Sequence, residues 1–462
     1  MPVLNYDSKT PLYEQLYLEI KKEIESGKIK PNEKMPSKRN LAKMLKISEI
    51  TVQNAYEQLK DEGYIYSVEK SGYFAMPIEV DYSPALKAEI KAEERKEAER
   101  ESYAFDLRGE KTDIDNFPFS VWSKLTRQVL SEQRQSLLVR TDNRGTEELR
   151  IEIANYLRKY RGIDADYNNI IIGAGTEYML DLLSRLLPQS VFAFENPGYQ
   201  KASKVLKAAG AKTVHIPLDN DGIIIDELRK SNADIVYVTP SHHFPLGRVM
   251  PIKRRYELLS ETESKTNSYI IEDDYDSEFR FSGRPIPTLF GIDKGERVIY
   301  LGTFTQSLCP SLRISYMLLP DRLMKKYDSE LSFYSSTVPS FEQYTLLKFL
   351  QGGYFERHLN RMRTAYKSRR DALICEIMQS GLKDKITVEG NNAGLTLLIR
   401  HKSLNEAQLV ERAGKNGVGI LGISRYYTDG LKPLEGMVLI GYSSLKGDEI
   451  KQVAHRLENA WK

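Results

Sequence analysis

The sequence predicts an α/β protein in two parts: a small N-terminal module of helices and a hairpin, and a large region built on a mostly parallel sheet. Three observations carry this reading. Leu12, Leu16, Ile20 and Ile24 recur every fourth residue, which marks an amphipathic helix. Short apolar runs between Ile170 and Leu301 alternate with helical stretches, the pattern of parallel strands covered on both faces. Between the two parts, Lys87–Ala98 is charged and alanine-rich, with almost no large apolar residues.

In chain order, the first helix closes at Gly27 and Pro31. Ser37 is placed to cap a second helix that turns Leu41, Ala42 and Leu45 inward. Ser48 caps a third helix with Val52, Tyr56 and Leu59 on one face, and Gly63 ends it. Tyr64–Val68 and Gly72–Ala75 alternate as two short strands around Glu69-Lys70-Ser71. Two helices joined by a tight turn and followed by a hairpin describe a winged helix-turn-helix. The charged segment from Pro84 to Ser102 reads as a semi-rigid linker. The expected domains are therefore residues 1–76, a linker at 77–104, and residues 105–462.

In the large part, Ile170–Gly173, Val191–Phe194, Ile235–Val238, Tyr269–Glu272 and Val298–Leu301 are the expected strands. Helices are expected over Glu177–Leu187 and Tyr199–Ala209. A long helical region after Leu319 leads to a smaller C-terminal α+β part, with strands at Gly394–Ile399 and Met437–Tyr442.

Composition narrows the function classes. No run approaches the roughly 18 apolar residues of a membrane span. The N-terminal residues have no basic and apolar signal pattern, so a cytoplasmic location is expected. Cys309 and Cys375 are the two cysteines, which fits a reducing compartment. The six histidines and two cysteines lack metal-ligand spacing. A net charge of +3 does not argue for nucleic acid; within it, Lys28, Lys30, Lys34, Lys38, Arg39, Lys43 and Lys46 stand against only Glu33, a local basic stripe that by itself fits either phosphate contacts or a solvated charged face.

The start of the third helix carries Ser48, Thr51, Gln53 and Asn54, polar groups suited to base edges in the major groove. Arg39, in the first turn of the preceding helix, can clamp a phosphate, with Lys38 beside it. Pro11-Leu12-Tyr13, Pro36-Ser37-x-Arg39-x-Leu41-Ala42, Ser48-x-x-Thr51-Val52, Ala55-Tyr56-x-x-Leu59, Glu62-Gly63-Tyr64 and Ser71-Gly72-Tyr73-Phe74 together resemble the GntR-type winged helix. The resemblance implies double-stranded DNA as partner and adds Gly72, in the wing, to the DNA-binding residues. Glu49 departs from the family, which usually has arginine there, so the family's operator sequences do not transfer.

The large part carries Asn143-Arg144-Gly145-x-x-x-Leu149-Arg150, Gly173-Ala174-Gly175-Thr176, Glu195-Asn196-Pro197-Gly198-Tyr199 and Thr239-Pro240-Ser241-His242-x-Phe244-Pro245-x-Gly247. Glu272–Phe279 and the Gly302–Arg313 loop follow. In this order they resemble fold-type I aminotransferases that use pyridoxal 5'-phosphate. Joined to the N-terminal module, they resemble the MocR subfamily of GntR regulators, especially its GABA-responsive members.

The resemblance implies roles for particular residues. Asp273 would pair with the pyridine nitrogen, Tyr275 with the ring hydroxyl, and Tyr199 would stack on the ring. Gly175 and Thr176 open a helix whose N-terminus can hold the phosphate, and Thr303, Thr305 and Arg313 complete that cup. His242 would orient the ring-side network, while His243 replaces the family's usual glutamine. Arg425 matches the position that holds a substrate carboxylate, and Lys201 stands where GABA-responsive relatives have a second arginine. Gln306 stands where the family has its cofactor lysine, and a primary amide forms no Schiff base with an aldehyde.

Three explanations of Gln306 stay open: a lysine-to-glutamine variant that traps one state, a natural member holding the cofactor non-covalently or as an amine adduct, or a pocket given over to another ligand. The expected protein is a homodimeric transcription regulator that responds to an amino acid or related amine and has no transaminase turnover. The rival is an aminotransferase with an appended DNA module, against which the missing lysine counts.

Overall fold

The computed structural model of the protein describes residues 4–6, 10–77, 103–109, 113–132, 135–281, 286–390, 393–428 and 430–462. The chain divides into two compact units, Met1–Arg100 and Glu101–Lys462. The linker expected from Pro84 to Ser102 lies outside the described residues.

The first unit consists of α1 (Leu12–Glu25), α2 (Lys38–Leu45), α3 (Glu49–Asp61) and an antiparallel hairpin of β1 (Ile65–Val68) and β2 (Gly72–Ala75). Both expected caps form. The Ser37 hydroxyl accepts from Asn40 N at 3.2 Å, and the Ser48 hydroxyl accepts from Thr51 N at 3.1 Å. Lys46, in the left-handed conformation with φ 54°, turns the chain between α2 and α3. Leu16 and Ile20 of α1 share one apolar cluster with Leu41 of α2 and with Val52, Tyr56 and Leu59 of α3. Tyr56 donates from its hydroxyl to the Pro36 carbonyl at 3.0 Å, which ties α3 to the entry of α2.

The second unit begins with β3 (Phe105–Asp106). Its main sheet contains β4 (Ile170–Gly173), β5 (Val191–Asn196), β6 (Lys212–Asp219), β7 (Gly222–Ile223), β8 (Ile235–Val238), β9 (Tyr269–Asp273), β10 (Val298–Thr303) and β11 (Ser315–Leu318). Their spatial order is β4-β11-β10-β9-β8-β5-β6-β7. The core from β10 through β6 is parallel, as the apolar runs predict. The borders are not. The β11 strand is antiparallel to both β10 and β4, and β7 is antiparallel to β6. Burial on both faces is visible within one strand: Ile170 and Ile172 enter one apolar cluster, and Ile171 enters another.

The expected helices run over Thr176–Leu186 and Gln200–Ala208, one residue from the ends read in sequence. The helical region after Leu319 ends in a long helix, Tyr354–Gln379. The C-terminal part holds β12 (Ile386–Glu389), β13 (Thr396–His401), β14 (Val418–Gly419), β15 (Leu421–Gly422) and β16 (Met437–Gly441). Four of these form an antiparallel sheet, β12-β13-β16-β15, and β14 pairs in parallel with β3. The β13 strand starts two residues later than expected, because Gly394 is a positive-φ turn residue packed against His242. Among the described residues, no helix is long and apolar enough to cross a membrane.

Candidate functional site

The ends of the parallel strands frame a cavity of about 270 Å³. Tyr237 and Thr239 enter from the end of β8, Asp273 and Tyr275 from β9, and Thr303, Thr305 and Gln306 from β10. Thr176, Glu177, Tyr199, Lys201, Phe244 and Arg313 complete the wall. Placement outside the carboxyl ends of strands is where open α/β sheets bind ligands.

The acidic run Glu272–Glu278 holds five carboxyls, and each is stabilised by a different partner. Glu272 accepts from Leu289 N at 2.8 Å and Phe290 N at 2.9 Å. Asp273 accepts from the Tyr237 hydroxyl. Asp274 accepts from Tyr300 at 2.6 Å and pairs with the buried Arg161 at 2.7 Å. Asp276 bonds His242 Nδ1 at 2.7 Å, and Glu278 accepts from Tyr156 at 2.8 Å. Only Asp273 presents its carboxyl to the cavity. Burial pushes it to about 7, and the neighbouring Asp274 and Asp276 push the same way, against the Tyr237 hydrogen bond. Such a carboxyl gains most from a cationic partner.

Tyr275 is steadied from behind. Its hydroxyl lies 3.1 Å from His242 Nδ1, and the two rings stack at 6.2 Å. His242 is buried and off the cavity wall, and it reaches the cavity through Tyr275. Tyr199 is 38% exposed and meets Phe244 edge-on.

Gly175 opens the cup, with φ 93°, and a Cβ there would lie 2.2 Å from Arg313 Nη2. Glycine is thus required both for the backbone and for the approach of the guanidinium. Thr303 and Thr305 bond each other through their hydroxyls at 2.9 Å. Glu177 sits in the cup and accepts from both Arg313 and Lys201. Burial alone would raise the Glu177 carboxyl, but hydrogen bonds from Lys201 and Arg313 outweigh it and hold it at about 2.

Of the expected residues, Thr176, Tyr199, Lys201, Asp273, Tyr275, Thr303, Thr305, Gln306 and Arg313 meet on one wall. Gly175 lies directly behind Arg313. Arg425 is exposed and off the wall. Its segment is nevertheless fastened to the Tyr199 loop, since Gly198 N donates to the Tyr426 carbonyl at 3.1 Å and Gln200 Nε2 at 2.7 Å. Sequence reading missed Tyr237, Thr239, Phe244 and Glu177. His243 is buried beside Glu195 at 3.7 Å, and burial drives both toward neutrality, His243 down to about 3 and Glu195 up to about 8.

These shifts predict a pH dependence. Glu272, Asp273 and Glu278 are raised to about 7 and Glu195 to about 8, chiefly by burial. The unfolded carboxyls lose their protons from about pH 4.5 while the folded ones hold theirs up to about 7 or 8, so this contribution falls as pH rises through that interval, and above about pH 6.5 the buried histidines no longer oppose the fall. Below that pH, the lowered His243 and His358, at about 3 and about 4, act in the opposite direction. Thermal melts of the empty protein should show Tm dropping from pH 6.5 to pH 8. A flat or rising Tm across that interval would contradict the assignment.

In the first unit, Arg39 is exposed and forms no ion pair among the described residues. Lys38 Nζ reaches Gln53 Oε1 at 3.4 Å, and Gln53 Nε2 donates to Glu57 at 2.8 Å. Ser48 and Thr51 bond each other at 2.7 Å, so their hydroxyls are engaged in capping. Gly72 has φ 111°, a backbone reason for glycine that is separate from any DNA contact. Ile50, 71% exposed beside Thr51, was not singled out in sequence because an isoleucine so placed reads as core. Among the described residues no group of histidine, cysteine or carboxylate is arranged to hold a metal ion.

Residues 109–457 match the family model described as aminotransferase class I and II, and residues 12–74 match bacterial regulatory proteins, gntR family. The chain is 39% identical to the uncharacterized HTH-type transcriptional regulator YdeL of Bacillus subtilis, covering 100% of this chain and 99% of that one. It is 32% identical to the probable rhizopine catabolism regulatory protein MocR of Rhizobium meliloti, covering 100% and 96%. A crystal structure of an archaeal alanine:glyoxylate aminotransferase superposes with a TM-score of 0.67 at 27% identity, over 77% of this chain and 90% of that one.

Proposed function

The chain belongs to the MocR subfamily of GntR transcription regulators, and from that premise we propose that its aminotransferase-like domain senses an amino acid or related amine through a pyridoxal phosphate pocket without a covalent anchor. The class I and II aminotransferase fold implies pyridoxal phosphate binding. The residues present fit that cofactor. A buried carboxyl raised to about 7 faces the cavity where a cationic ring nitrogen would neutralise it, and the cup already holds a carboxylate, that of Glu177, on Arg313.

The observation that carries the proposal is that Gln306 lines the same cavity as Asp273, Tyr275, Thr303, Thr305 and Arg313. When bound, the cofactor supplies an electron-poor ring and an aldehyde that condenses with amines. Asp273 would hold a proton at the ring nitrogen, with Tyr237 fixing the carboxyl. Tyr275, oriented by His242, would bond the ring hydroxyl, and Tyr199 would cover one face. Thr176, Thr303, Thr305 and Arg313 would hold the phosphate, which would draw Arg313 away from Glu177. Gln306 has no basic amine to anchor the aldehyde or to move a proton, so we propose that the cofactor is held non-covalently or as an amine adduct, without transaminase turnover. A homodimer presenting two winged units to duplex DNA completes this reading.

In the winged unit, Arg39→Ala should weaken binding to every duplex and lower the salt slope by about one, as for a phosphate contact. Gln53→Ala should instead change which sequences are selected from a random duplex pool, at about 1–3 kcal/mol per base. Unchanged binding in both variants would remove this helix from the interface.

For the effector's carboxylate, Lys201 on the wall and Arg425 on the tethered segment are the two candidate cations. A charge-assisted hydrogen bond to Arg425 is worth about 1.5–3 kcal/mol, so Arg425→Ala should weaken the response to a carboxylated amine roughly ten- to a hundredfold, and Arg425→Lys should recover part of it. Equal response in the parent and Arg425→Ala proteins would pass the role to Lys201.

Sensing itself is tested by fluorescence polarisation on a duplex selected by the protein, with pyridoxal phosphate present and candidate amines added. At least one amine should change affinity by about fivefold or more. If no amine in a panel of amino acids and their decarboxylated forms has an effect, the sensing proposal fails.

A further inference from the structure

A second cavity, of about 200 Å³, takes in the end of the acidic run at Ser277 and Glu278. Tyr156, Tyr160 and Arg161 reach it from the helix Glu147–Arg161, and Arg363 from the helix Tyr354–Gln379. Glu278 and Arg280 close it from the turn that follows Tyr275. Three arginines therefore line it against one carboxyl.

Their partners differ. Arg161 is committed to Asp274 at 2.7 Å. Arg363 donates from Nε to the Glu278 carbonyl at 2.5 Å and from Nη1 to Asn360 Oδ1 at 3.3 Å, neither of them a carboxylate. Arg280 forms no ion pair among the described residues, and its buried Nε has no hydrogen-bond partner there. Glu278 is 8% exposed, and its Oε2 is likewise buried without a partner, the Tyr156 bond being made by Oε1. Two half-buried guanidiniums without counter-charge are costly unless an anion joins them. A guanidinium fork matches the paired oxygens of a carboxylate or a phosphate. Burial pushes the Glu278 carboxyl to about 7, so near neutral pH it can present an O–H to an acceptor oxygen instead of repelling it.

We propose that this cavity is a second ligand site, which binds a small oxyanion between Arg280, Arg363 and Glu278. It is separate from the cofactor pocket and does not depend on what fills that pocket. Arg161 belongs both to this cavity and to the Asp274 ion pair, so it is already neutralised and leaves Arg280 and Arg363 to meet the anion.

The test is isothermal titration calorimetry on the full chain with sodium phosphate and, separately, sodium acetate, at constant ionic strength in chloride. An Arg313→Gln background removes the arginine of the cofactor's phosphate cup. One saturable event per chain is expected there, and the tighter of the two anions identifies the class. Adding Arg280→Gln and Arg363→Gln should weaken it by about tenfold or more. If that variant fails to fold, the pair Arg280→Lys and Arg363→Lys keeps the charge and loses the fork, and several-fold weakening is expected. No saturable event in the Arg313→Gln protein, or affinity unchanged by the substitutions at Arg280 and Arg363, would overturn the proposal.

Discussion

Gln306→Lys should take covalent attachment of pyridoxal phosphate at residue 306 from undetectable to near one per chain. Incubation with the cofactor, reduction with borohydride and peptide-mapping mass spectrometry would measure it. The parent should carry no adduct at residue 306 under the same treatment, because an amide nitrogen does not condense with an aldehyde, and labelling of its surface lysines sets the background. The expectation rests on position: Gln306 shares a wall with Asp273, Thr303, Thr305 and Arg313, so a lysine there reaches a cofactor that those residues orient. If Gln306→Lys protein reacts only at scattered surface lysines, residue 306 does not stand where the family's lysine stands.

Asp273→Asn should weaken pyridoxal phosphate binding by about tenfold to a hundredfold. The amide keeps the shape and can still accept from Tyr237, but it cannot neutralise a cationic ring, a difference of about 1.5–3 kcal/mol. The same substitution should leave Tm unchanged or raise it at pH 8. Asp273 is raised to about 7 by burial, so above that pH the empty fold carries the cost of a desolvated carboxylate. A residue serving only the fold would give the opposite pair: lower Tm and undisturbed cofactor affinity.

Much of this arrangement was legible in the sequence because the relevant physics is local. The serine caps of α2 and α3 announce themselves by position, and the central strands by unbroken apolar runs. Asp273 was singled out through the resemblance, and the fold brings it to the cavity wall. Its partners were not legible. Tyr237 sits inside an apolar run and reads as core, yet its hydroxyl is what holds Asp273. Glu177 entered the sequence reading only as the first residue of an expected helix, whereas in the fold it bridges Lys201 and Arg313. The antiparallel β11, lodged between β4 and β10, follows from a chain reversal after Thr303 that no local periodicity encodes. Arg425 was placed by resemblance alone, and the fold sets it on a segment beside the cavity, off its wall.

The most direct test of the central claim is an absorbance titration of the purified parent protein with pyridoxal phosphate, followed between roughly 320 and 430 nm, before and after addition of candidate amines. The account predicts saturation at one cofactor per chain, a spectrum without the protein-lysine signature, and a further shift with the amine that alters DNA binding. A titration that stays linear, with no saturable component in the parent or in Gln306→Lys, would contradict it and would assign the pocket to another ligand.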